Sequence, residues 1–149
     1  MNPDSPYTDF GQLLEAMKGT DVTVGTAGIN SSGGMALAAI NEASGGELGA
    51  RMVTYDGGNP AVIAAVSGEV VATTQLAVEQ TEMAKAGSLR PLAVLADAPL
   101  VVAGLDPIPP ITNWLPNMEI APAYFGIFVP VGAPQDVSDT LDAIWERRI

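Results

Sequence analysis

Three short β-favouring runs, each followed by a turn of small residues and a helical stretch, leave this chain few folds to choose from. The first is "VTVGT" at Val22–Thr26, and from about Ser32 it gives way to a segment with Ala36, Ala39, Ile40 and Ala43 on one face. The second, "RMVTY" at Arg51–Tyr55, meets the turn Gly57–Gly58 and then a helix opened by Pro60 and stopped by Gly68. The third, "EVVATTQ" at Glu69–Gln75, leads into a helix over Leu76–Lys85 closed by Gly87. A fourth run, "LRPLAVLA" at Leu89–Ala96, carries Pro91, which assigns it to an edge or turns its amide out of the ladder. Such alternation predicts a three-layer α/β domain with a mainly parallel sheet. Its strands are expected at Val22–Thr26, Arg51–Tyr55, Val70–Thr74 and Leu92–Leu95.

Ahead of these, Phe10, Leu13, Leu14 and Met17 fall at helical spacing, with Asp9 and Gln12 as a capping pair and Gly19 as the stop. From Asp97 to Pro122 the pattern breaks into six prolines and little periodicity, which reads as a surface excursion. Met35, Met52 and Met83 are expected in the core, and Trp114 and Tyr124 under the excursion. "AYFGIFVPVGAP" returns as an apolar strand. A helix opened by Pro134 then carries Val137, Leu141, Ile144 and Trp145 on one face and meets no stop signal before Ile149.

At 149 residues the chain reads as one domain, and 48% hydrophobic with 15% charged residues excludes a disordered one. Six Lys and Arg against seventeen Asp and Glu argue against nucleic acid as a partner, and against an anionic membrane surface. Without cysteine there is no disulfide or thiol catalysis. No run approaches the roughly 20 apolar residues of a membrane-spanning helix, and "MNPDSPYTDF" lacks the features of a secretory signal.

The loops carry the functional signal. Residues 25–34 place glycines and the hydroxyls of Thr26, Ser31 and Ser32 between a strand and a helix start. Free amides and the positive end of the helix dipole attract anions there. "YDGGNPA" at Tyr55–Ala61 repeats the arrangement, and Gln75 ends a third strand. In an open α/β sheet these carboxyl ends share one rim. Glycine-rich turns and Ser N-caps are also common in α/β proteins, so anion binding and plain turn-and-cap chemistry both stay open on the loops alone. No Gly-Lys-Ser/Thr follows to make a Walker loop, and the spacing of Gly25, Gly28 and Gly33 is wrong for a dinucleotide fingerprint. With no His or Cys, no zinc-ligand spacing and no paired carboxylates, an enzyme is not expected. Asp56 is the one carboxylate in these turns, and it reads as a surface residue.

"NPDSPYTDFGQLLEAMK", "VTVGTAGINSSGG", "VTYDGGNPAV", "SGEVVATTQ", "AGSLRPLAVL" and "YFGIFVPVGAPQDV" follow one another in an order that resembles the Bug family. These are the periplasmic solute-binding proteins of tripartite tricarboxylate transporters. The resemblance implies a type II periplasmic-binding-protein fold, with a small organic carboxylate closed between two α/β lobes. It implies that residues 1–149 form the second lobe, with a core at about 5–132 and residues 133–149 beginning a helix that returns to the first lobe. The first lobe, the C-terminal helices and any signal peptide would lie outside these residues.

Residue by residue, Thr26, Ala27, Gly28, Ser31 and Ser32 match the family's ligand loop of this lobe. Tyr55, Gly57, Gly58 and Pro60 match its glycine turn, and Gln75 stands at a strand end facing the ligand. Asp56 replaces the family's usual lysine, and Gly34 a frequent histidine. The implied partners are the carboxylate, the first lobe and the membrane permease subunits; no cofactor is implied. The other readings are a phosphate- or nucleotide-binding module, a small cytoplasmic enzyme, or an interaction domain.

Overall fold

The computed structural model describes residues 1–120, 123 and 126–146. Helix α1 (Phe10–Ala16) starts where Asp9 accepts from the Gln12 N–H at 3.0 Å, while the Gln12 side chain accepts from the Thr8 N–H. After it come β1 (Thr23–Thr26), α2 (Ser32–Ala43), β2 (Arg51–Thr54), α3 (Gly58–Ser67), β3 (Ala72–Thr73) and α4 (Ala77–Lys85). The three strands form one parallel sheet in the order β2-β1-β3, with Thr23 opposite Arg51 and Val24 opposite Ala72.

Helices cover both faces. Leu13, Met17, Leu37 and Met1 pack against Val22, Val24 and Ala72 on one side. Val62, Ala64 and Ala65 of α3 pack against Val70 and Leu89 on the other. The result is the expected three-layer α/β domain. Gly68 ends α3 at φ 79°, and the Glu69 N–H reaches back to the Ala64 carbonyl at 2.9 Å. That bond satisfies a carbonyl the helix end would leave open.

The structure corrects the sequence reading at four places. Residues 92–95 are not a strand of the sheet; Val94 makes only an isolated bridge to Pro110. Its N–H and C=O go to Pro109 and Ile111, so the segment pairs away from β3. Of the expected surface excursion at Asp97–Pro122, residues 97–107 bury nothing and fit it, but residues 108–118 do not. The segment's prolines break periodicity but deliver Ile108, Ile111, Leu115 and Met118 to the interior, where the last three form a cluster with Phe10 and Ile40. Trp114, half-buried, meets the Phe10 ring edge-on with centroids 5.5 Å apart. Met35 is 63% exposed and Met83 39%, because both fall on the outer faces of their helices. Of the expected strand at "AYFGIFVPVGAP", Tyr124 and Phe125 lie outside the described residues, as does the packing of Tyr124. Residues 126–130 form no strand, and Phe128 is 94% exposed. Helix α5 (Gln135–Glu146) follows and buries no residue.

Candidate functional site

Three loops leave the carboxyl ends of the strands. After β1, Thr26 is fully buried; its Oγ1 accepts from the Gly28 N–H at 3.2 Å and shapes the turn from within. Gly28 adopts φ 132°, open to glycine at little cost. Ser31 is the N-cap of α2. Its hydroxyl accepts from the Gly34 N–H at 3.1 Å and donates to the Gly28 carbonyl at 2.7 Å, so both of its functions are engaged inside the loop. Ser32, the first residue of α2, is exposed.

After β3, the Thr74 hydroxyl donates to the Gly33 carbonyl at 2.8 Å and fixes this strand end to the start of α2. Gly33 and Gly34 leave no room for a side chain: a Cβ at Gly33 would fall on the Thr74 carbonyl oxygen, and one at Gly34 on the carbonyls of Gly28 and Ile29. That crowding requires glycine at both positions in this loop. With its amide turned so that both ends are satisfied, Gln75 accepts from the Ala27 N–H at 2.7 Å and donates to the Glu79 carboxylate at 3.1 Å. The same carboxylate lies against Gly58 at the start of α3. Ala27, Gln75, Glu79 and Gly58 thus join the three loops at one rim.

The expected residues divide into three groups. Ala27, Gln75 and Gly58 come together through Glu79, with Gly28 and Ser32 in the same loop as Ala27 and Gly57 just before α3. Thr26 and Ser31 hold the loop in shape. Tyr55 turns away: its hydroxyl donates to Glu69 at 2.7 Å, two residues past the end of α3, whereas the rim lies at that helix's start. The Glu69 carboxylate favours the protonated phenol and pushes its pKa up to about 12. Pro60 is exposed in the first turn of α3.

Glu79 was not singled out from the sequence. Its signal was position: an acid in the first turn of the helix that follows the third strand. The described basic side chains are engaged elsewhere. Lys18 pairs with Glu15 and Lys85 with Glu82, Arg51 donates to the Thr20 carbonyl, and Arg90 grips the carbonyls of Pro3, Ser5 and Tyr7. The rim therefore offers amides, a hydroxyl and two acids, Asp56 and Glu79. Such a surface can hold an anion only through the Ser32 hydroxyl, backbone donors and helix dipoles.

No family model and no curated protein matches the chain. Solved structures do. A TctC solute-binding protein from Polaromonas, solved without ligand, is 25% identical with a TM-score of 0.72; the match covers 99% of this chain and 49% of that one. A structure described as a periplasmic transporter is 25% identical at a TM-score of 0.82, covering 95% of this chain and 47% of its own. The chain has the fold of one lobe of a TctC-type solute-binding protein. A third similar structure, an R. palustris protein solved with adipate, is 21% identical at a TM-score of 0.81, again over 95% and 47%. The TctC-like lobe spans about half the length of each of these proteins. In it, the rim is where three parallel strands end and three helices begin.

Proposed function

We propose that the protein captures a small organic carboxylate as one lobe of a periplasmic solute receptor and presents it to the permease of a tripartite tricarboxylate-type transporter. The observation that carries this reading is the link from Ala27 through Gln75 and Glu79 to Gly58 at one strand-end rim, in a fold shared with a TctC solute-binding protein. The ligand's carboxylate would sit at the start of α2, taking the Ser32 hydroxyl and the amides of the first turn. Gln75, held by Ala27 and Glu79, would border it. Linear dicarboxylates are the first class to test, since one similar protein was solved with adipate.

No step of chemistry is assigned to the lobe. A phosphate or nucleotide reading has less support: the rim has no described Lys or Arg, and Asp56 and Glu79 would repel a polyanion. Calorimetric titration of adipate, succinate, citrate and glutamate into the longer, two-lobed protein tests the proposal. Binding that Ser32→Ala weakens roughly tenfold or more is expected, the loss of one charge-assisted bond of about 1.5–3 kcal/mol. Absence of binding to any acid, or affinity unchanged by Ser32→Ala, would remove the assignment.

A further inference from the structure

Three helices start at the rim, and the positive end of each attracts negative charge. At α2 that place is open. Its first turn holds no acid, Ser32 is exposed, and the N–H groups of Ser32 and Gly33 meet no acceptor among the described residues. At α3 the N–H groups of Gly58 and Asn59 also lack an acceptor among the described residues, and the N-cap Gly57 has no side chain to offer one. Here, however, an acid already stands. The Glu79 carboxylate lies where a Cβ of residue 58 would be, so the bare backbone of Gly58 makes room for it. The Gln75 amide, held in turn by the Ala27 N–H, donates to the same carboxylate at 3.1 Å and fixes its place. Glu79 belongs to the first turn of α4, so one side chain puts its charge at the starts of two helices. Asp56, exposed two residues ahead of Gly58, adds a second charge on that side.

We infer that Glu79 sets the charge the rim accepts: one carboxylate, seated at α2, on an acid whose part bordering α3 and α4 carries no negative charge. This rests on the carboxylate reading above and narrows it to a class. Like charges brought together out of bulk water repel strongly, and no described Lys or Arg stands at the rim to offset Glu79. A long diacid such as adipate can send its second carboxylate away from the rim. A short one such as succinate cannot, because only a short link separates its two charges. The favoured ligand is a monocarboxylic acid. A hydroxyl or ammonium group on it would find an acceptor in Glu79.

NMR titration of the 149-residue chain tests the inference, with butyrate and succinate at one ionic strength as acids of equal length. Butyrate should move the Ser32 and Gly33 amides, and succinate should bind about tenfold more weakly. Glu79→Gln removes the charge and keeps the shape and an acceptor for Gln75. It should leave butyrate affinity within about twofold and bring succinate within about threefold of butyrate. Succinate should then move the Gly58 and Asn59 amides as well. Glu47→Gln makes the same change of net charge near Lys18, in the connection from α2 to β2, and should leave the ratio as it was. A ratio unmoved by Glu79→Gln, or moved equally by Glu47→Gln, would overturn the inference; the carboxylate reading would stand as long as butyrate moves Ser32. Loss of both acids together in Glu79→Gln would make Glu79 a strut for the loops and overturn it too. If neither acid moves the Ser32 amide of the native chain, the carboxylate reading falls and this inference with it.

Discussion

Two adjacent serines, Ser31 and Ser32, look alike in the sequence and differ in the fold. Ser31→Ala removes an N-cap and should lower stability by about 1 kcal/mol in a urea melt, with the exposed rim unaltered. Ser32→Ala should leave the melt almost unchanged and act on binding in the two-lobed protein. Equal destabilisation by both would show that the geometry has not separated cap from contact. Gly33→Ala and Gly34→Ala are the harsher changes, because a methyl group at either position meets backbone oxygen that cannot rotate aside. Each should lower stability by about 1–3 kcal/mol or more, read from the same melts. Met1 gives a pH signature. Its amine has a pKa of about 5 in the fold against 8.0 in a free chain. The unfolded state therefore binds the proton more readily, and stability should be greatest above pH 8 and fall as pH drops towards 5. The difference is on the order of 3–4 kcal/mol. Acetylating or extending the terminus should flatten that part of the profile, and a profile identical to the native chain's would contradict the buried amine.

At the scale of elements, the least supported piece is α5. A helix of 12 residues that buries none of them has little beyond its own propensity to hold it. Its amides should exchange far faster than those of α2, and protection equal to α2 would show that something covers it. What was legible in the sequence follows the same distinction between local and tertiary causes. Asp9, Gly19, Ser31 and Gly68 start or stop helices through bonds to their own neighbours, so both ends of α1, the start of α2 and the end of α3 could be read directly, whereas α3 begins at Gly58, ahead of the expected Pro60. The site loops were legible because strand ends in a parallel sheet share a rim whatever the rest of the chain does. Residues 92–95 have the composition of a strand, but membership of a sheet depends on a neighbour at ladder distance, which no local pattern encodes. Ile108, Ile111, Leu115 and Met118 stood among prolines that usually mark surface, and their burial depends on the faces of α1 and α2. Glu79 was hidden for a similar reason: a helix start read on its own gives no sign that Gln75 and Gly58 will meet there.

For the whole molecule, half a cleft should make a poor receptor. One lobe leaves the far side of a ligand in water, where each exchanged hydrogen bond contributes only about 0.5–1.5 kcal/mol. Against the entropy of association this predicts dissociation constants on the order of millimolar or weaker for carboxylates and the isolated chain. The eleven excess negative charges should make that weak binding improve as salt is added. Micromolar binding by the isolated chain would mean that its rim is complete without a second lobe. The strand order β2-β1-β3 also governs how quickly the chain can reach this state. Its central strand pairs Thr23 with Arg51 and Val24 with Ala72, so no strand finds its neighbour through a tight turn. Each pairing must first close a loop of tens of residues, and chains dominated by such non-local pairings refold in about milliseconds to seconds. In stopped-flow experiments helical signal should rise before the sheet locks. Val24→Ala, at the strand both neighbours wait for, should slow refolding more than Leu141→Ala in α5.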